Sequence, residues 1–135
     1  MALQLSITAR NARLDAIETT IGTAPILTIR TGAAPADCAT ANSGTVLATL
    51  TLPSDWMANA ASGSKAKSGT WQDASADNAG TAAHFRIHDS TGTTCHLQGT
   101  VTATGGGGDL TLDNTNFAAG QTVTITSFTL TDGNA

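Results

Sequence analysis

The stretch HFRIHDSTGTTCHLQ, residues 84–98, holds all three histidines of the chain and one of its two cysteines. As chemistry it suggests a metal or catalytic site; as geometry it is a β-hairpin. Asp89 and Ser90 favour the opening of a type I turn, and Gly92 can take the left-handed position that follows. That is a three-residue hairpin loop with a glycine bulge. It predicts His84 opposite Gln98, Phe85 opposite Leu97, Arg86 opposite His96 and Ile87 opposite Cys95. Opposed residues share a face. One face then carries Phe85, Ile87, Cys95, Leu97 and Val101, with Cys95 a core thiol. The other carries His84, Arg86, His88, Thr94, His96, Gln98 and Thr100. A two-residue turn would set Arg86 opposite Leu97 and mix the two sets.

This register argues against the chemical readings. His84 and His88 are four residues apart on one strand, about 13 Å at roughly 3.3 Å per residue, too far for one ion with bonds of about 2 Å. His88 and His96 lie diagonally across the hairpin, but that face offers no carboxylate or thiolate, and Arg86 adds a positive charge. Neither a Gly-x-Ser-x-Gly elbow nor a His-Glu-x-x-His helix is present. Asp109 and Asp113, on one strand, are again about 13 Å apart, beyond the roughly 5–9.5 Å of glycosidase carboxylate pairs. The expectation is a protein that is not an enzyme and needs no cofactor or metal. The polar face is then either a solvated sheet face or a contact surface for a protein or sugar. In the second case His84, Arg86, His88, His96 and Gln98 supply the contacts, and the histidines make them sensitive to pH near 6.5.

The rest of the chain follows the same pattern. ILTIR (26–30), TVLATLTL (45–52), CHLQGTVTAT (95–104), DLTLD (109–113) and TVTITSFTLT (122–131) alternate with period two and read as strands. In the last, the apolar phase slips near Ser127, which predicts a β-bulge. Turn clusters separate the strands, the longest being TGAAPADCATANSG (31–44). GGGG (105–108) lacks the Lys-Ser/Thr ending of a phosphate loop and reads as a hairpin loop. PSDWMANA (53–60) suggests a short helical turn capped by Ser54. DNTN (113–116) is a turn before it is a calcium loop. Trp56 and Trp71 are core anchors, or else platforms for a sugar ring.

The first residues differ. Leu3, Ile7, Arg10, Leu14, Ile17 and Ile21 recur at alternating spacings of four and three, an apolar helical stripe but for Arg10. Asp15 and Glu18 lie on the other side, and Gly22 stands at the C-cap position. So short a helix must bury its stripe, on its own domain or on a neighbouring subunit. The fold expected is all-β, an antiparallel, jelly-roll-like β-sandwich over 23–135 preceded by a helical arm over 1–22.

Composition bounds the partners. The 135 residues fit one domain, 12% of them are charged, and the net charge is −4. That balance lacks the basic footprint of nucleic-acid binding. Lys65 and Lys67, in SGSKAKSG (62–69), read as solubilising charges in a loop. No apolar run reaches the roughly 18 residues of a membrane span, and no signal-peptide pattern opens the chain. A chain made in a cytoplasm leaves Cys38 and Cys95 either paired or, as is usual there, as thiols.

RNARLDAIETTIG (10–22), ILTIRTGAAPADC (26–38), GTVLATLTLPSDWM (44–57), HFRIHDSTGTTCHLQGTV (84–101) and AAGQTVTITSFTLT (118–131) resemble small structural proteins of tailed bacteriophages and prophages, of the head decoration or cement kind. The likeness spans nearly the whole chain and carries no active-site motif. It implies a virion component made in the host bacterial cytoplasm, a homo-oligomer that binds other virion proteins. Its partner would be the major capsid protein, or neck, collar or tail proteins if the chain is a neck, collar or tail-fibre attachment protein. A carbohydrate- or receptor-binding module is the reading from another class. On the decoration reading the contacts fall on the arm (Leu3, Ile7, Arg10, Leu14 and Ile17) and on the histidine face.

Overall fold

A computed structural model describes residues 2–133 of the chain. The helix starts later than the stripe suggests. Ser6 takes extended backbone angles and its hydroxyl accepts the N–H of Ala9, opening α1 (Ile7–Ile21). Leu3 therefore precedes the helix. Gly22, at φ 90°, closes it by donating its N–H to Glu18 O at 2.9 Å.

Eleven strands follow among the described residues: β1 (Ile26–Arg30), β2 (Val46–Thr51), β3 (Ser64–Ala66), β4 (Trp71–Asp73), β5 (Gly80–Thr81), β6 (His84–His88), β7 (Cys95–Ala103), β8 (Leu110–Leu112), β9 (Asn116–Phe117), β10 (Val123–Ile125) and β11 (Thr129–Thr131). Five build one sheet in the order β2-β1-β6-β7-β8, and the others form three two-stranded ribbons, β10-β4, β11-β3 and β5-β9. The protein is mostly β with one N-terminal helix.

Period-two alternation sets the sheet. In β1, Leu27 and Ile29 face Ile87 and Phe85 of β6 on one side and Leu50 and Ala48 of β2 on the other. These six form one apolar face and are all buried. Against this face a chain of aromatic contacts fills the core. Trp56 lies 5.9 Å from Trp71, Trp71 5.5 Å from Phe128, and Phe128 meets Phe85 edge-on at 5.6 Å. Each indole N–H is satisfied, Trp56 by Gly22 O at 2.9 Å and Trp71 by Ser68 O at 3.1 Å.

Three expectations are corrected. PSDWMANA forms no helical turn, because Trp56 is drawn into the core and Met57 bridges to Lys67. The phase slip near Ser127 is a change of partner rather than a bulge: β10 pairs with β4 and β11 with β3, while Phe128 between them turns inward. GGGG does not close a hairpin, since β7 and β8 run parallel, with Val101 opposite Leu110. The short return needs glycine. A Cβ at Gly106 or Gly108 would come within 2.8 Å of the Thr102 side chain, whose hydroxyl accepts Gly108 N–H at 2.9 Å.

The helix docks on its own chain through charge. Lys65 of β3 is 1% exposed, not a solvated loop charge. Its ammonium has three N–H groups and three acceptors: Asp15 Oδ1 at 2.7 Å, Glu18 Oε2 at 2.7 Å and Ala58 O at 2.9 Å. Asp15 and Glu18, expected on the side of the helix away from the apolar stripe, instead face the domain beside the buried Leu14 and Ile21. Burial alone would lower the Lys65 pKa, but hydrogen bonds and charge from the two carboxylates outweigh it and hold it above the ordinary lysine value. Asp15 is held below the usual carboxylate range by Lys65 and by the Ala60 N–H. Arg10 Nη1 donates to Asp132 O at 3.0 Å and Arg13 pairs with the Asp132 carboxylate at 3.2 Å, tying the helix to the end of β11.

Replacing Lys65 leaves the two carboxylates facing each other without their cation. Lys65→Ala is expected to lower stability by about 2–4 kcal/mol at neutral pH in urea unfolding. In the unaltered chain the Asp15 contribution is full above the ordinary carboxylate pKa and is lost as pH falls through its lowered folded value. A Lys65→Ala chain as stable as the parent would contradict this docking.

Candidate functional site

The histidine hairpin forms, with a register two residues from that expected. Gly92 takes φ 72° and donates to Asp89 O at 2.9 Å, so the type I turn and its left-handed glycine are present. The loop is one residue longer, with Asp89 N–H on Thr94 O at 3.0 Å, and a second extra residue sits in β7. His88 pairs with Cys95, but Ile87 pairs with Leu97, Arg86 with Gln98 and His84 with Thr100. A shift of two preserves the faces, so Phe85, Ile87 and Leu97 remain together. The single-residue bulge, however, exchanges Cys95 and His96. Cys95 joins the polar face instead of the core. His96 leaves that face and lies exposed beside α1, lining a groove of about 230 Å³ with Arg13, Ala16, Ile17, Thr20 and Ile21.

The centre of the polar face, expected to be solvated or a contact surface, is covered by the chain itself. His84, Arg86 and His88 are all buried. Residues 31–44, between β1 and β2, fold over them as a strap. Arg86, 1% exposed, occupies the centre. Its guanidinium has five N–H groups, and all five are used. Nη1 donates to Thr40 O at 3.0 Å and Asn42 Oδ1 at 2.8 Å; Nη2 donates to Cys38 O at 2.9 Å and Asp37 O at 3.3 Å. Nε donates to Cys95 Sγ at 3.2 Å. Either side of it, the strap bonds the sheet again: Gly32 O meets His84 Nδ1 at 2.7 Å, Pro35 O accepts Gln98 Nε2 at 2.7 Å, and Ser43 O accepts Arg30 Nη1 at 3.5 Å. The first contact puts the proton on His84 Nδ1. His84 Nε2, Gln98 Oε1 and Arg10 Nε are buried without a hydrogen-bond partner among the described residues.

This setting fixes the charge of its neighbours. Burial, then the charges of Arg86 and Arg30, push the His88 pKa down; His96 adds to this and Asp89 opposes it. Burial and the adjacent Cys95 thiol push Cys38 up to about 11, against the pull of Arg86. Cys38 is therefore a neutral thiol at physiological pH.

Other candidate residues have structural partners. Asp109 Oδ2 accepts both the N–H and the hydroxyl of Thr100, and Asp113 Oδ1 accepts the Thr104 hydroxyl. Asn114 closes a turn onto Asn116 N–H at 2.9 Å. Among the described residues no cluster of three or more His, Cys, Asp or Glu side chains is arranged to hold a metal ion. Trp56 and Trp71 are fully buried, so neither offers a ring face to a sugar.

The large apolar side chains exposed among the described residues belong to the arm. Leu3 is 86% and Ile7 53% exposed, whereas Leu14 is buried and Arg10 and Ile17 are half-buried against the domain. No helix among the described residues is long and apolar enough to cross a membrane. Comparison with protein-family models, with characterised proteins and with solved structures finds no match for this chain.

The buried, neutral state of His88 has a measurable consequence. The unfolded chain takes up a proton near the ordinary histidine pKa of 6.5 while the folded chain does so only at lower pH, so lowering the pH through that value favours unfolding. Stability is expected to fall from about pH 7.5 to about pH 5, and His88→Gln is expected to flatten that fall. An identical pH profile in parent and variant, followed by denaturant titration, would contradict the assignment.

Proposed function

We propose that this chain is a structural protein of a tailed bacteriophage virion, a capsid decoration or cement protein that binds the outside of the head and stabilises it. The observation that carries the reading is the pair Leu3 and Ile7, two large apolar side chains exposed at the start of a helix that is itself anchored to the domain. Scattered exposed apolar residues are ordinary. An exposed apolar pair at the N-terminal end of a helix fixed to the domain is a grip for a neighbouring subunit. The family resemblance supplies the kind of neighbour: the major capsid protein and further copies of this chain, in a virion assembled in the host cytoplasm. The five-stranded sheet packed against the ribbons is read as a jelly-roll-like sandwich, the rigid block that such a part requires. On a symmetric shell many weak contacts act together, so a small apolar grip suffices.

Immunogold labelling of particles whose genome encodes the chain is expected to cover the whole head. A Leu3→Asp/Ile7→Asp chain is expected to fold with stability within about 0.5–1 kcal/mol of the parent, since both sites are exposed, yet to be lost from sedimented particles. Label confined to one vertex or to the tail would replace decoration by a neck, collar or tail-fibre role. A variant retained at the parent's copy number would show that the arm is not the contact.

A further inference from the structure

We propose that Cys38 and Cys95 form a reversible disulfide that locks the strap onto the sheet. The two cysteines reach one place by independent routes. Cys38 lies near the middle of the strap, where its carbonyl accepts Arg86 Nη2 at 2.9 Å. Cys95 is turned to the same side by the β7 bulge, where its sulfur accepts Arg86 Nε at 3.2 Å. One guanidinium therefore holds both residues, and both line a small cavity of about 140 Å³ together with Thr40, Asn42, His88 and Thr93. Both residues are half-buried rather than sealed, so a small oxidant can reach them. A buried apolar thiol would sit on the core face of the hairpin; the bulge instead turns Cys95 to the face that the strap covers, where Cys38 lines the same small cavity.

The chemistry is thiol–disulfide exchange with a low-molecular-weight disulfide as oxidant. One cysteine thiolate attacks a sulfur of the oxidant, forming a mixed disulfide and expelling one thiolate. The other cysteine attacks the protein sulfur of that mixed disulfide, forming the Cys38–Cys95 bond and expelling the second. The protein loses two hydrogens, and the oxidant is reduced to two thiols. Where thiols are kept reduced, Arg86 and the flanking hydrogen bonds hold the strap; in an oxidising medium the covalent bond holds it as well. The bond closes a long loop, the case in which a cross-link restricts the unfolded chain most. This inference rests on the strap and the bulge and does not depend on the virion reading.

The test uses the purified full-length chain, reduced with dithiothreitol, freed of it, and exposed to oxidised glutathione under native conditions. Peptide mapping without reduction is expected to find one linked species joining the Cys38 and Cys95 peptides within a monomer. Both free thiols disappear, and Tm rises by about 5–15 °C, an increase that dithiothreitol reverses. Cleavage within residues 31–44 by a nonspecific protease is expected to slow on oxidation. Cys38→Ser is expected to show neither effect, and because the mapping is done on the unaltered chain, a poorly folding variant does not decide the matter. Persistent glutathione adducts on either cysteine, thiols that stay free in the folded chain, or links only between chains would overturn the proposal. So would a linked chain whose Tm and cleavage rate match the reduced form.

Discussion

A guanidinium buried beneath a loop is the constraint on which this structure turns. Removing Arg86 from water costs several kcal/mol unless its hydrogen bonds are replaced. No carboxylate among the described residues pairs with it; five acceptors, mostly backbone carbonyls of residues 37–40, replace water instead. The dependence runs both ways. Residues 31–44 contain no strand or helix, so their carbonyls need donors from elsewhere once they are covered. Arg86, Arg30, His84 and Gln98 are those donors. The sheet is thereby enclosed on both faces by different physics, packed aromatic and aliphatic side chains on one and a matched polar layer on the other.

The same layer settles the chemistry of its surroundings. Burial and two nearby arginines lower the His88 pKa, and a bond from the strap orients His84. His84 and Arg86, two of the groups that invite a catalytic or metal reading of residues 84–98, are bonded to the strap. The exposed apolar side chains lie at the opposite extreme of the design, on an arm fixed to the domain by the Lys65 ammonium and its two carboxylates. The proposed function needs a rigid body with one accessible grip, and these two buried cations supply the rigidity.

Much of this was legible in residue order. Alternation placed β1, β2, β6, β7 and β8, and the Asp-Ser-Thr-Gly turn predicted the left-handed Gly92. The faces of the hairpin survived an error of two residues in register because the side-chain period of a strand is two. Cys95 and His96 did not survive it, since a bulge shifts the count by one and no local signal marks its position. Burial of the polar face was not legible, because alternation reports polarity and the cover comes from a segment more than forty residues away in sequence. One signal did exist: a turn cluster as long as residues 31–44 is unusual in a small domain unless it has a task. Lys65 was misread for a similar reason. Its partners, Asp15 and Glu18, are three apart on one helix side and so point at one place, but nothing in the Gly/Ser stretch around Lys65 names that place.

The central claim is that Arg86 is the fastener between strap and sheet. Nitrogen-resolved NMR of the arginine side chains at neutral pH tests it most directly. The account predicts that the Arg86 Nε–H and its individual Nη–H protons appear as separate signals that exchange slowly with water, because rotation of the guanidinium would break four bonds to the strap at once. A single averaged Arg86 signal, exchanging as fast as that of the exposed Arg13, would contradict it.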